Sequence, residues 1–296
     1  MTPQNMPICF IKKTFPEIGE IEYKIVSSRD ELEQSMALVY REYLMRGFIL
    51  PKYYKSGLRI TTHHITPGTA AFIALKDKKV VATIILMPDS PLGLPLDMGY
   101  KNEADKLRKD RRKICEVGYL SIDSGLFGRG LFSMFNFKKL DFMFTLFKMV
   151  FQYAIFHEKF DNMCIVTNPK YMIFKFLPFK AISDVKYYGY DRIVVKKKAA
   201  VFKSMDLDHM RKNLEDPHKI AGLRLSVYKI FLGSRIPQDA FKEKYLFSPE
   251  DLRYFFVEKS DILKGLKGVE KEHIMAHYKL TEEAFKNILK GRSANE

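Results

Sequence analysis

The sequence predicts an α+β fold in which a mixed, mostly antiparallel central sheet is flanked by helices. Short β-rich runs alternate with helical segments up to about residue 205. An apolar hairpin early in the chain predicts antiparallel pairing, and a later strand–loop–helix–strand unit predicts one crossover connection. Only helical patterns follow residue 206. We therefore expect a mixed domain over residues 1–205 and a helical C-terminal extension over residues 206–296.

The first elements of the chain have strong local signals. Residues 21–26 predict a strand, and Ser28 with Glu31 forms a capping-box pattern that begins a helix reaching about Met45. The segments AAFIALKD and KVVATIILM, joined through residues 77–79, predict the two strands of a hairpin. The antiparallel half of the sheet is therefore predicted from local pattern alone.

The second half of the mixed region follows a long loop that is rich in proline and glycine. A charged helix is predicted near residues 101–109, followed by the strand KICEVGYLSID and a glycine-bearing loop at residues 125–130. A phenylalanine-rich helix near residues 140–156 and the strand NMCIVTN come next. Two closing strands are predicted near residues 185–190 and 200–205.

Composition limits the class of protein. A chain of 296 residues with 47% hydrophobic residues is long and apolar enough to bury a large core, which excludes a disordered chain. The 50 Lys and Arg against 35 Asp and Glu leave a net charge of +15, which favours an anionic partner. No helix-turn-helix, RNP or zinc-finger pattern accompanies the basic runs, so nucleic acid is not the expected partner.

Cysteine usage and the N-terminus predict a cytoplasmic protein. Cys9, Cys115 and Cys164 are far apart in sequence, with no CxxC pair for zinc and no even set for a disulfide framework. We expect reduced thiols and no metal site. The first fifteen residues lack an apolar run of signal-peptide length, so no secretion signal is predicted.

The most apolar stretch of the chain raises the question of membrane contact. It covers residues 140–156, but polar residues recur along it every three or four positions and form one stripe on a helix, namely Lys138, Asp141, Thr145, Lys148 and Gln152. This pattern favours a helix packed on the sheet, with a solvated stripe, over a membrane span. Peripheral contact with the inner membrane surface stays open as an alternative.

Glu116 is the strongest candidate for chemistry. Alternation along its strand places it on one face with Ile114, Gly118, Leu120 and Ile122. Burial in an apolar row would raise the pKa of the carboxyl towards neutrality, which suits a base that takes a proton from an amine. The alternative is a solvated glutamate, or one paired with a basic residue of the preceding run Arg111, Arg112 and Lys113.

A second candidate is the glycine-bearing loop between this strand and the phenylalanine-rich helix. Gly128 and Gly130 flank Arg129, and backbone N–H groups at a helix N-terminus favour an anion such as phosphate. An ordinary turn is the alternative. The histidines provide no strong candidate for a site. His273 and His277 lack the glutamate of a zinc-protease helix, and no role is assigned to His63 and His64.

Several segments together resemble a known family. The chain contains LVYREYLMRGFI, GLRIT, VVATIILMPDSPLGLPLDMGY, ADKLRKDRRKICEVGYLSID and TNPKYMIFKFLPF, in the order found in long-chain N-acyl amino acid synthases. These FeeM-like enzymes belong to the GNAT acyltransferase superfamily and are relatives of the acyl-homoserine-lactone synthases. The resemblance covers about Ile21 to Met205.

The resemblance implies a GNAT-like acyl-CoA N-acyltransferase fold and transfer of a long-chain fatty acyl group from acyl carrier protein to the amine of an amino acid. Glu116 matches the family's strand glutamate. Leu120 and Ile122 lie on the strand whose backbone meets pantetheine in this superfamily, and the loop with Gly128, Arg129 and Gly130 meets the phosphate. No cofactor is expected to stay bound, because acyl-phosphopantetheine or acyl-CoA is a co-substrate.

The resemblance also assigns a docking surface and an acyl-chain pocket. Acyl carrier proteins are acidic, so the basic run is predicted to bind the carrier through Arg108, Lys109, Arg111 and Arg112. Phe144 and Phe151 of the phenylalanine-rich helix are predicted to line the pocket for the acyl chain.

Two positions depart from the family pattern. Gly118 replaces the usual serine of Glu-Val-Ser, and Phe174 stands where many GNAT enzymes have a tyrosine that protonates the departing thiolate. These departures leave two alternatives open. One is an acetyl-CoA or acyl-CoA N-acyltransferase acting on another amine, and the other is an inactive GNAT-fold module that binds a lipid or a protein partner.

Overall fold

The structure is a computed structural model that describes residues 11–16, 18–126, 137–170, 177–188, 198–213, 231 and 234–290. The predicted phosphate loop with Gly128, Arg129 and Gly130, and the predicted acid position Phe174, lie outside these residues.

A mixed sheet is the centre of the described fold. Its strand order is β1-β2-β3-β4-β5-β6-β9-β7, with β8 paired to β9. β5 and β6 pair in parallel, and every other described pair is antiparallel, which confirms the predicted fold class. The strands are β1 Ile11–Phe15, β2 Gly19–Ile25, β3 Ala70–Lys76, β4 Lys79–Pro88, β5 Ile114–Ile122, β6 Asn162–Thr167, β7 Lys180–Ala181, β8 Lys186–Tyr188 and β9 Lys198–Asp206.

Helices cover both faces of the sheet. π-Helical turns extend α3 through His157 and α5 through Glu258, and short 3₁₀ turns occur at Pro51–Tyr53, Thr62–His64 and Gln238–Glu243. The described α-helices are α1 Arg29–Met45, α2 Asp97–Lys109, α3 Phe137–Gln152, α4 Leu207–Asn213, α5 Pro249–Arg253, α6 Ile262–Gly265, α7 Gly268–His277 and α8 Glu282–Lys290.

Local signals explain the first elements. Asp77 and Lys78 adopt φ values of 49° and 63°, so both turn residues are left-handed, as a tight hairpin turn requires. The Ser28 side chain accepts a hydrogen bond from the Glu31 N–H and caps α1 as predicted. The Glu31 carboxylate, however, accepts from the backbone N–H of Ser27, one residue before the cap, at 2.9 Å.

The described residues form two large apolar cores on opposite faces of the sheet and a third, smaller cluster that includes Leu96 and Tyr100. Phe142, Leu146 and Phe151 of α3 are buried on one face. On the other face, Met36 and Val39 of α1 share a core with residues of the C-terminal helices that include Phe255, Phe256 and Ile274. The C-terminal extension therefore packs directly on the mixed region. The domain boundary at residue 205 stays a prediction.

The solvated stripe predicted for α3 is only partly correct. Thr145 and Gln152 are buried. The Gln152 amide donates to the carbonyls of Phe231 and Ser234 and accepts from the Ile236 N–H, so a later segment of the chain covers this end of the helix. Among the described residues, no helix is long and apolar enough to cross a membrane.

Candidate functional site

A pocket of about 280 Å³ opens beside the middle strands of the sheet. Glu116, Gly118 and Tyr119 of β5 contribute to its lining, together with Met87 of β4 and Val166 of β6. The segment between α1 and β3 supplies further lining residues. The pocket therefore lies at the sequence-predicted strand glutamate.

The pocket forms where two parallel strands diverge. β5 pairs with β6 at three positions, the last of which joins Glu116 to Cys164. Beyond that pair, the described residues of the two strands no longer pair with each other, although β5 continues to Ile122 and β6 to Thr167. Val117 and Val166 follow the divergence, and both line the pocket. Glu116 thus lies at the fork between the strands.

Glu116 is buried, with only 5% of its surface exposed. Its Oε2 accepts a hydrogen bond of 2.7 Å from the backbone N–H of Leu96. The pKa of the Glu116 carboxyl is raised to about 8, because burial and, to a smaller extent, the Asp97 charge raise it more than the Leu96 hydrogen bond lowers it. The predicted burial is confirmed, and the proposed catalytic role stays a prediction.

A β-bulge after Glu116 changes which residues share its face. Tyr119 has a φ of 54°, and β4 pairs Ile85 with Gly118 but Thr83 with Ser121, so one extra residue is inserted into β5. Leu120 and Ile122 consequently pack in the core beneath α3. The prediction that they share a face with Glu116 is wrong, because the bulge breaks the alternation. Their backbone contact with pantetheine stays a prediction.

Gly118 does not obstruct the site. A Cβ atom placed at this position would meet the Met87 side chain at 3.4 Å, which is an ordinary van der Waals distance. The serine that the family resemblance implies at this position would therefore fit. The glycine widens the pocket beside Glu116 without imposing an unusual backbone conformation.

The loop that donates to Glu116 is held by a group of charged side chains, which we call the Arg108 cluster. It consists of Arg108, Asp89, Asp97 and Asp105. The guanidinium contacts Asp89 at 2.7 and 2.9 Å and Asp97 at 2.8 and 2.9 Å. Asp97 in turn accepts the Leu94 N–H at 2.8 Å. The cluster thereby connects α2 to the loop that carries Leu96.

Two of the four basic residues predicted to dock the carrier protein are paired within the described structure. Arg108 is 23% exposed and contacts three aspartates, and Arg112 pairs with Asp206 at 3.2 Å. Lys109 and Arg111 are exposed. The docking role of the basic run stays a prediction.

Arg59 is a pocket residue to which sequence analysis gave no role. It is 5% exposed and stacks on the rings of Tyr54 and Tyr119, at 4.8 and 5.7 Å from the ring centroids. Its guanidinium donates to the Tyr54 hydroxyl. Arg59 lies in the segment GLRIT, and Tyr43, another lining residue, lies in LVYREYLMRGFI. The family resemblance included both segments but assigned no role to these two residues.

The adjacent histidines diverge on the 3₁₀ turn Thr62–His64. His63 lines the pocket, while His64 is buried and its Nδ1 lies 2.8 Å from the Thr61 hydroxyl. Burial, followed by the positive charge of Arg59, lowers the pKa of His64 to about 3. His64 is therefore neutral at physiological pH, and the positive charge of Arg59 contributes to this lowered pKa.

The predicted acyl-chain residues lie elsewhere. Phe151 is 2% exposed and packs against Phe147, Phe179 and Phe231, and Phe144 packs against Phe231 at the edge of the same core. Neither lines the pocket at Glu116. Their contact with an acyl chain stays a prediction.

The packing of Phe151 predicts a large effect on stability. We expect Phe151→Ala to lower the free energy of unfolding by about 3–5 kcal/mol, because the buried ring leaves a cavity. Urea unfolding measures this loss, and Phe144→Ala, at a half-buried position, is the smaller matched change. A shifted acyl-chain preference in a variant of unchanged stability would instead place Phe151 in the acyl pocket.

Metal ligands do not accompany the pocket. In the parts of the chain that the structure describes, no group of three or more His, Cys, Asp or Glu side chains is arranged to hold a metal ion. Cys115 and Cys164 are buried free thiols on β5 and β6, and burial raises the pKa of each. Among the described lining residues, Glu116 provides the carboxyl group and His63 the imidazole.

Comparison with solved structures supports the fold. The structure of FeeM, an N-acyl amino acid synthase from uncultured soil microbes, matches with a TM-score of 0.52 and 23% identity, over 65% of this chain and 93% of that one. The acyl-homoserine-lactone synthase LasI matches at 0.45 with 13% identity, over 72% and 94%. The CoA-dependent synthase BjaI matches at 0.41 with 12% identity, over 68% and 90%. Among curated proteins, no sequence matches this chain.

The family model for the N-acyl amino acid synthase FeeM matches residues 34–193, which is more than half of the chain. This range includes β3 to β6, the loop that carries Leu96 and the pocket glutamate. The chain therefore belongs to the FeeM N-acyl amino acid synthase family and is an N-acyltransferase.

Proposed function

We propose that this N-acyltransferase moves a fatty acyl group from the phosphopantetheine thioester of acyl carrier protein to the α-amine of an amino acid. The observation that carries the proposal is the buried Glu116 carboxyl at the fork of β5 and β6, with its pKa raised to about 8. An amine nucleophile must lose a proton, and a buried carboxylate beside the pocket accepts it.

The chemical step is an aminolysis. The acceptor nitrogen attacks the thioester carbonyl carbon, a C–N bond forms, and the C–S bond breaks. Glu116 takes the proton that the amine loses, directly or through water, and the departing thiolate takes up a proton to leave as the carrier thiol. The products are an N-acyl amino acid and the free carrier.

The pocket suits an amino acid as acceptor. Its volume of about 280 Å³ is near the lower end of the range for small-molecule sites, which fits an amino acid better than a long acyl chain. Arg59 supplies a buried positive charge in the same pocket, which pairs with the acceptor carboxylate. The amine would then lie towards the glutamate.

The donor thioester fits the other side of the fork. Beyond Glu116, the backbone groups of β5 that face β6 have no partner in that described strand. A pantetheine arm carries amides that such groups can bind, as the superfamily resemblance implies for Leu120 and Ile122. The donor and the acceptor would thus meet at Glu116.

A product assay tests this function. Purified protein is incubated with palmitoyl carrier protein and an equimolar mixture of amino acids, and the lipid extract is examined by mass spectrometry. The proposal predicts N-palmitoyl amino acids. Acylation of polyamines or other amines, with no acylated amino acid in the extract, would contradict it.

Donor choice gives a separate prediction. A chain with a net charge of +15 should prefer the acidic carrier protein, and the preference should weaken by roughly 10-fold as ionic strength rises from about 0.01 to about 1 M, since screening shortens from about 30 to about 3 Å. Initial rates with acyl carrier protein and with acyl-pantetheine provide the comparison.

The small thioester should show no such loss with salt. Reversing the charges of the exposed Lys109 and Arg111 to Glu is the matched variant, and we expect it to slow the reaction with the carrier protein at low salt but not the reaction with acyl-pantetheine. Equal salt dependence for both donors would remove the argument for the carrier protein.

A further inference from the structure

The pocket contains one residue from outside the family-matched region. Ile262, the first residue of α6, lines it together with Tyr54 and Met98. The family model ends at residue 193, so Ile262 belongs to the C-terminal extension. The wall of the pocket is therefore completed by a part of the chain that lies beyond the matched synthase region.

The extension is fixed to the mixed region by specific contacts. The Tyr254 hydroxyl donates to the Glu33 carboxylate of α1 at 2.9 Å. Asp251 pairs with Arg29 at the start of α1. The Tyr278 hydroxyl donates to the Ile65 carbonyl at 3.0 Å, directly after the turn that carries His63. These contacts hold the extension against α1 and against the segment that carries His63.

The position of Ile262 itself is fixed by its neighbour. Leu263 is buried in the core that the extension shares with α1, as are Phe255 and Phe256. Ile262, in contrast, is half-buried and faces the pocket. A side chain on such a supported element presents a constant surface to a ligand.

We infer that the C-terminal extension forms part of the acceptor site and that Ile262 selects the acceptor by its side chain. This inference rests on the proposed function. With the carboxylate at Arg59 and the amine at Glu116, the side chain of the acceptor is the part left to contact the apolar lining. Ile262, Met98 and the ring of Tyr54 contribute apolar surface to a lining that also contains polar residues, so we expect the favoured acceptors to have apolar or aromatic side chains.

The test is a competition among acceptors. Wild type, Ile262→Ala and Ile262→Glu each receive one acyl donor and an equimolar mixture of amino acids, and the distribution of N-acyl products is measured. Ile262→Ala should shift the ratio of large to small apolar acceptors by roughly 10-fold, and Ile262→Glu should shift products towards lysine and arginine. Val269→Ala and Val269→Glu, at a 66% exposed position of the same extension, are the controls and should change nothing.

The outcomes separate this inference from the proposed function. If wild type makes no N-acyl amino acids, the proposed function fails. If wild type makes them and the folded Ile262→Ala and Ile262→Glu proteins both keep the wild-type product distribution, the extension does not contact the acceptor and the inference is overturned. Circular dichroism and the melting temperature establish folding, and the alanine variant keeps the test valid should the glutamate variant not fold.

Discussion

Glu116→Gln is expected to lower turnover by roughly 10²–10⁴-fold while leaving donor binding almost unchanged. The α-amine of a free amino acid is mostly protonated near neutral pH, so the reaction needs a proton acceptor close to the thioester. Glutamine keeps the size of the side chain and an oxygen that accepts from the Leu96 N–H, but it cannot take a proton. Steady-state rates with a saturating acyl donor measure the loss.

The pH dependence of this reaction follows from the raised pKa. Because the Glu116 pKa is about 8, only a minor fraction of the enzyme carries the carboxylate at pH 7, and kcat/KM should rise as pH increases through about 8. The acceptor amine also deprotonates as pH rises. Acceptors whose amines differ in pKa separate the two groups. The rise in kcat/KM that comes from Glu116 should occur at the same pH with every acceptor in wild type, and it should be absent in Glu116→Gln.

Stability provides the control for this variant. The folded protein holds a proton on Glu116 up to about pH 8, whereas the unfolded chain releases it near the ordinary value of 4.5. The folded state therefore loses stability relative to the unfolded state as pH rises from about 4.5 through about 8. Glu116→Gln removes this loss, so above pH 8 it should unfold at a temperature equal to or higher than wild type. Wild-type turnover in this variant at neutral pH would show that Glu116 is not the base.

Local patterns predicted most of the sheet and α1. The left-handed turn at Asp77 and Lys78, the cap at Ser28 and the apolar alternation of β3 and β4 are all encoded within a few residues. The strand glutamate was likewise found because its neighbours are apolar. The bulge at Tyr119 was not predicted, since a residue with a φ of 54° leaves no sequence signal when it is not a glycine.

The rest of the site depends on contacts between distant parts of the chain. Arg59 and His63 reach the pocket from the segment that precedes β3, and Ile262 reaches it from the C-terminal extension, so no spacing in the sequence connects the two parts. The ion pairs of Arg108 also could not be predicted from the sequence. The sequence presents Arg108 within a basic run, whereas its carboxylate partner Asp89 comes from the loop that precedes α2 and its partner Asp97 is the first residue of α2. Charge patterns identified the residue but not its carboxylate partners within the fold.

Arg108→Ala is expected to lower kcat/KM on the order of 10²-fold, although Arg108 does not line the pocket. Its guanidinium joins Asp89 to Asp97, and Asp97 orients the loop whose Leu96 N–H donates to Glu116. Without Arg108, the loop loses its support and the Asp97 charge is no longer neutralised. Both effects raise the Glu116 pKa further, so the rising limb of the pH profile should move to higher pH.

Companion variants separate this positioning role from a general loss of stability. Asp97→Asn keeps an oxygen for the Leu94 N–H but removes the charge that raises the Glu116 pKa, so its limb should move to lower pH, opposite to Arg108→Ala. Arg112→Ala breaks a half-exposed pair with Asp206 in the same basic run and should change the rate by less than about 2-fold. If Arg108→Ala melts at a lower temperature but keeps the wild-type pH profile, the Arg108 cluster stabilises the loop without tuning Glu116.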